Sequence, residues 1–193
     1  MSTLSRRERL LAACSHVAIL IPGFGFVVPI LIWPLNRSRS EYIRLQSLQA
    51  LVFQIIQTLF LQLILLVEGI VILIVIRRLL ENSLAIILAK TVFFPIVGLF
   101  LYVGLALMAA ISYLSAKNWV YPFFGTKMLE YLDEASGSPQ EHEDRLVTGT
   151  CHAGIFYPSS GLLVPELILI ILRGQLSAWL KFQAAQSLAI QAG

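Results

Sequence analysis

Charge is scarce in this chain: charged residues make up 13% of its 193 residues, against 58% hydrophobic ones. A soluble domain ordinarily carries about 25% charged residues, so the apolar excess cannot all be enclosed in one compact core. Cysteine is scarcer still. Cys14 and Cys151 form no CxxC, and nothing in their spacing points to a disulfide scaffold. Together with His16 and His152 they also miss the spacing of a standard zinc finger, so neither a metal nor any other cofactor is expected. No GxSxG, HExxH or P-loop pattern occurs, which leaves nucleophilic, metal-hydrolytic and NTPase chemistry without support, and the chain reads as a non-enzyme. Basic residues sit in short clusters at the ends of apolar runs, with no aromatic-plus-basic stripe. That argues against a nucleic-acid groove and fits anchoring at lipid headgroups.

What the chain does have is long apolar runs. About 20 apolar residues cross a bilayer. The first run, His16 to Leu35, is just long enough and is broken by Pro22, Gly23, Gly25, Pro29 and Pro34. It is expected to cross as a kinked helix, the alternative being a segment that dips in and returns. The basic start, Arg6 to Arg9, loosely mimics a signal peptide but is followed by no clean small-x-small cleavage site, so the segment is read as retained. Tyr42 to Gln54 reads as an interfacial helix. Further spans are expected over Leu51–Ile76, ended by Arg77-Arg78, over Leu84–Ser115, and over Leu146–Leu172. Trp119 and Tyr121 fall where an aromatic belt belongs. An acidic stretch runs from Glu130 to Asp144, and the tail Gln175–Gln191 resembles a second interfacial helix. The expected fold is all-α: a polytopic helical membrane protein with about four transmembrane helices plus interfacial amphipathic helices. It divides into a three-span unit (1–128), an acidic flexible linker (129–144) and a partial repeat (145–193). The lipid bilayer is its first partner, and the expected location is the inner cell membrane.

The repeat is visible without gaps from Arg9-Leu10 on Arg145-Leu146. His16 meets His152, Pro22 meets Pro158, Gly25 meets Gly161, Val28-Pro29 meets Val164-Pro165, and Arg37 meets Arg173. After one skipped residue, Gln46, Gln49 and Gln54 meet Gln183, Gln186 and Gln191. Matches at a histidine, two prolines, a glycine, an arginine and three glutamines go beyond what two apolar segments share by composition. The run Arg9 to His16, the run Val28-Pro29-Ile30-Leu31-Ile32-Trp33 and the series Gln46…Gln49-Ala50-Leu51…Gln54 resemble small bacterial membrane proteins of the Tic-twenty-like family. The resemblance covers about residues 8–124 and recurs at 144–191. It implies a non-enzymatic membrane protein, related by name to a chloroplast import component, that acts through helix contacts with itself or with another membrane protein.

Polar residues inside apolar runs are the candidate functional positions, because they are costly in lipid and are usually paired or functional. Glu68 and Lys90 lie at matching depths in an antiparallel hairpin and are expected to pair. Gln46, Gln49, Gln54, Gln57 and Glu68 fall on one helical face at 100° per residue, either to bond neighbouring helices or to line a wet groove. His16 and His152 sit at matched positions near the headgroups. Gln183 and Gln186 repeat the glutamine face, and Glu166 follows a helix-breaking proline. If three segments cross before the acidic linker, the repeats have inverted topology. The alternative function is then a small transporter or channel that uses the glutamine face and Glu68.

Overall fold

A computed structural model describes residues 4–21, 23–78, 84–115, 117–122, 124–133, 138–156, 161–171 and 177–192; the side chains at 75–78, 84–92, 94 and 139 lie outside that description. The described residues form eight α-helices: α1 (Arg6–Val17), α2 (Val27–Asn36), α3 (Glu41–Arg78), α4 (Leu84–Leu114), α5 (Gly125–Asp133), α6 (Pro139–Ala153), α7 (Leu163–Ile171) and α8 (Ala178–Ala192). Short 3₁₀ turns follow α1 at Ala18–Leu20 and α6 at Gly154–Phe156.

Two helices among these residues are long and apolar enough to cross a bilayer, Glu41–Ile74 within α3 and Pro95–Leu114 within α4. At about 1.5 Å per residue the 38 residues of α3 reach roughly 57 Å. Its two halves differ. Ile43, Leu48, Leu51, Phe53 and Ile55 are buried, whereas Phe60, Leu63, Leu66, Val71 and Leu73 are exposed. The exposed half runs beside α4, whose Phe93, Phe100 and Leu101 are equally bare. A continuous apolar surface of this extent needs lipid rather than water around it, and the protein is membrane-associated. Tyr42–Gln54 is no separate interfacial helix, contrary to expectation: it is the buried first half of α3, continuous with the apolar half that follows.

The first and fourth expected spans do not form single helices. α2 has ten residues and α7 nine, about 15 Å and 14 Å against a hydrocarbon core of about 30 Å. The chain reverses instead. Ser5 and Glu8 form a capping box that starts α1, with Ser5 N donating to Glu8 Oε2 at 2.9 Å and Glu8 N to Ser5 Oγ at 3.2 Å. The other oxygen of Glu8 accepts from Ser40 Oγ at 2.6 Å, just ahead of α3. The chain therefore enters along α1, turns, and comes back along α2 to where it began. The turn is close: a Cβ on Gly25 would lie 2.6 Å from the Ala18 carbonyl oxygen. α6 and α7 form a second hairpin of the same kind. There Ser177 Oγ donates to Asp144 Oδ2 at 2.9 Å, and a Cβ on Gly154 would meet the Gly161 carbonyl at 2.8 Å.

Both hairpins open at the same end of the molecule. Arg37, just past the end of α2, bonds Glu143 at 3.1 Å and Asp144 at 2.8 Å in the first half of α6, and Arg44 forms an ion pair with Glu143 at 2.9 Å. At the other end the turn after α6 meets α3, where Gln62 Nε2 donates to the Phe156 carbonyl. The turn after α1 borders Thr58 and Leu61 of the same helix. The inverted topology is conditional on three crossings before the acidic stretch, and these contacts instead set the start of α6 at the end of the bundle where α1 begins. One core joins α2, α3, α5, α6, α7 and α8 around Trp33, Leu48, Leu51, Val147, Ile168 and Leu180. A second joins α1, α3 and α4 around Ala13, Phe53, Ala106, Ala109 and Tyr113. The acids between residues 129 and 144 fall largely on the end of α5 and the start of α6.

Candidate functional site

Three groups of polar side chains are gathered inside the bundle. The first lies between α1, α3, α4 and the 117–122 segment. His16 is completely buried, and its Nδ1 shares a 2.7 Å hydrogen bond with the Tyr121 hydroxyl. Its ring packs 4.9 Å from that of Tyr113, and Tyr121 stacks on Phe53 at 3.8 Å. The Tyr113 hydroxyl, with one proton to donate, has three acceptors in reach: Gln46 Oε1, the Trp119 carbonyl at 2.9 Å and Gln49 Oε1 at 3.5 Å. Burial pushes the His16 imidazole down to about 3, so it is neutral at physiological pH. Its Nε2, the Gln49 Nε2 and the Trp119 Nε1 have no hydrogen-bond partner among the described residues. Tyr121, 1% exposed, is thus a core residue and not part of an aromatic belt, and Trp119 is half-buried against the same core.

The second group is the row of glutamines on α3. Gln54 Nε2 donates to the Ser15 carbonyl at 3.1 Å, filling an orphan acceptor near the end of α1. Gln57 lines a groove of about 690 Å³ between α3 and α4, with Phe60, Gly98, Tyr102 and Pro122. Glu68 is half-buried farther along the same helix. Its expected partner Lys90 has a side chain outside the described residues, and so does the pair.

The third group is the charged base. Glu143 is 1% exposed and receives both Arg37 and Arg44, while Arg37 also lies 5.1 Å above the Trp33 ring. Burial raises the Glu143 carboxyl, and the two guanidiniums oppose that shift. A buried pair of this kind adds little net stability, but removing one partner strands a charge and costs about 3–5 kcal/mol.

The C-terminal helices repeat several of these contacts at the offset found in the sequence. One contact departs: His152 Nε2 lies 3.2 Å from Gln183 Oε1, whereas the matching His16 and Gln46 bond Tyr121 and Tyr113. Gln191 Nε2 donates to the Cys151 carbonyl at 2.7 Å, as Gln54 does to that of Ser15. Ser177 bonds Asp144 as Ser40 bonds Glu8. The acid–serine contacts are not evident from sequence, although the same offset pairs Glu8 with Asp144, and, after the skipped residue, Ser40 with Ser177. Gln186 and Glu166 are exposed. Cys14 is exposed, Cys151 is buried, and both are free. Among the described residues no group of three or more histidine, cysteine or acidic side chains is arranged to hold a metal ion.

No curated protein and no solved structure matches the chain. A family model does match, over residues 7–129, from the first turn of α1 into α5. It overturns the Tic-twenty-like resemblance. The residues that carried it, a Pro/Gly-broken segment followed by spaced glutamines, are those that a tight hairpin and a buried polar helix face demand, and they do not discriminate between families. With well over half of its length inside the match, the chain belongs to the magnetosome magnetite crystal formation protein family, MamF/MmsF.

Proposed function

We propose that this protein takes part in magnetite crystal formation as a non-enzymatic component of the magnetosome membrane, working through helix contacts with itself or with another membrane protein. The observation that carries the reading is the family match, which spans the whole of the α1–α4 unit. The polar groups in that unit are turned on one another: His16 on Tyr121, Gln46 on Tyr113, Gln54 on Ser15. Side chains so occupied speak for a shaped scaffold more than for a conduction path. The transporter alternative also loses its inverted repeats, since both hairpins open at one end.

Residues 138–192 are, in this reading, a partial second copy of the α1–α3 portion, docked on the first through α2, α7 and the charged base. Its support is the common offset of the two 3₁₀ turns, of the starts of α2 and α7, and of the matched hydrogen bonds.

Orientation follows from the basic residues. Arg6, Arg7, Arg9, Arg37, Arg39, Arg44, Lys117, Lys127, Arg145 and Lys181 lie at or near the open end of the hairpins, against Arg77 and Arg78 at the far end of α3. By the positive-inside rule the base faces the cytoplasm. The functional test is deletion of the gene in a magnetite-forming host, with complementation. Electron microscopy should show crystals changed in size or number and restored by the intact gene. Unchanged crystals would contradict the proposal.

A further inference from the structure

The cross-section of the bundle changes along its depth. Between the base and the hairpin turns it includes all eight described helices. α1, α2, α6 and α7 run between the base and the two turns. α8 starts beside Asp144, which Ser177 bonds, and ends at the second turn, where Gln191 bonds the Cys151 carbonyl. α5 lies by the first turns of α3, with Thr126 and Leu129 bordering Glu41 and Arg44. The turns meet the two long helices at Gln62 of α3 and Leu99 of α4. Beyond that level α3 and α4 alone continue among the described residues, and α3 runs on from Leu63 to Arg78, about 24 Å.

The hairpins are built to stop there. α2 and α7, at about 15 Å and 14 Å, match one leaflet of a hydrocarbon core about 30 Å thick. Their open ends carry Arg6, Arg37 and Arg145, whereas their turns expose Leu20, Ile21, Phe24, Ile155 and Phe156. Turns so apolar end in hydrocarbon and not at the opposite headgroups. Backbone carbonyls at that depth need partners from within the protein, and glutamines supply them: Gln62 to Phe156, Gln54 to Ser15 and Gln191 to Cys151.

The far half is surrounded by lipid. Every exposed side chain described from Leu63 to Ile74 is Leu, Val or Ile, and together they cover about 240° of α3 at 100° per residue. Those described from Phe93 to Leu101 on α4 are Phe, Ile, Val or Leu. A face reserved for a further membrane helix, of this chain or another, carries small residues that permit close approach or polar ones that bond across. These exposed positions carry neither.

Six helices that occupy one leaflet and not the other make a wedge. Each is about 10–12 Å across, so the base side is wider by roughly 500 Å². The base-side leaflet is spread while the other closes around two helices. The bilayer relieves the mismatch by bending convex towards the base, and insertion confined to one leaflet is curvature-sensitive for the same reason. We propose that this protein bends the membrane towards its base and gathers where a membrane already bends that way. Its ligand is a lipid surface of positive curvature on the base side. With the base in the cytoplasm the bulge points into the cytoplasm. The sign relative to the base belongs to the fold alone and is independent of any role in crystal formation.

The test uses the full chain with Cys14→Ala in giant lipid vesicles from which a thin tube is pulled. An impermeant dye on Ser38→Cys marks molecules with the base outwards, and the same dye on Asn82→Cys, between α3 and α4, marks those with the base inwards. Base-outward molecules should be about threefold denser on the tube than on the vesicle, and base-inward ones depleted by a similar factor. Benzoylphenylalanine at Leu66 should crosslink to lipid. Equal densities for the two orientations, or the reverse order, would overturn the proposal, as would a crosslink from Leu66 to any protein segment other than α4. The unsubstituted protein provides a second measurement: reconstituted at rising protein-to-lipid ratio it should give progressively smaller vesicles, and an unchanged vesicle size would also overturn the proposal.

Discussion

Acidification should loosen α1, and His16 sets the size of the effect. The imidazole is held at about 3 by burial, against an ordinary value of 6.5. A histidine whose folded value is depressed contributes stability that is complete above its unfolded value and is lost as pH falls below it. Between pH 8 and pH 5 the opened form gains roughly a 30-fold proton-binding advantage, or about 2 kcal/mol at 1.36 kcal/mol per unit. The groups against the ring, Tyr113 and Tyr121, carry no charge in this range to offset it. Amide hydrogen exchange in nanodiscs, corrected for the intrinsic pH dependence of exchange, reads the opening free energy of residues 12–17. It should fall by about 2 kcal/mol in the native protein and stay flat in His16→Gln. Glu143 acts with the opposite sign and elsewhere: its carboxyl is raised by burial, so its contribution is present at low pH and is lost as pH rises, and it reports on α6. A pH dependence that survives His16→Gln, or its absence from the native protein, would refute the burial argument.

Other perturbations have equally direct readouts. Arg37→Ala leaves Glu143 with Arg44 alone and Asp144 with Ser177 alone, and should lower the protection of α6 by about 1–3 kcal/mol, short of the cost of a fully stranded charge, with Arg37→Lys recovering only part of it; unchanged exchange in α6 would mean that the base does not hold the second hairpin. Gln54→Leu and Gln191→Leu each remove a side-chain donor to a helix-end carbonyl, buried at Gln54 and part-buried at Gln191, and should cost similar amounts, about 0.5–1.5 kcal/mol, measured on α1 and α6 respectively. Gly25→Ala places a methyl 2.6 Å from the Ala18 carbonyl and should open the first hairpin, seen as faster exchange in α2; a neutral result would show that the turn has slack. Glu68→Gln should leave ion flux into liposomes at the native level, and a flux that Glu68→Gln abolishes would revive the conduction reading.

Much of this is legible in the sequence, and the rest is hidden for identifiable physical reasons. The helical class, the apolar runs and the break at Pro22-Gly23-Gly25 can all be read directly. What the break does cannot, because hydropathy sums residues along a segment and is blind to reversal. The reversal is set by Gly23, at a φ of +74°, and by the close approach of Gly25 to Ala18. The glutamine row on α3 is visible as a face, and its contacts with Tyr113 and Ser15 occupy part of that face. The charged base is not visible, since Arg37 and Asp144 stand 107 positions apart and nothing local in either stretch names the other. Tyr121 looks like a belt residue by position, yet it closes over His16, with Trp119 edge-on to it, because the chain after α4 folds back along the bundle.

The arrangement of two same-sided hairpins on a two-helix anchor is the claim from which the rest follows, and a topology map tests it most directly. With accessibility tags at residues 1, 40, 80 and 138, one at a time in intact cells, the tags at 1, 40 and 138 should report the cytoplasmic side and the tag at 80 the opposite side. A tag at 40 on the side opposite residue 1 would mean that the first segment crosses the membrane, and would contradict the same-sided hairpins.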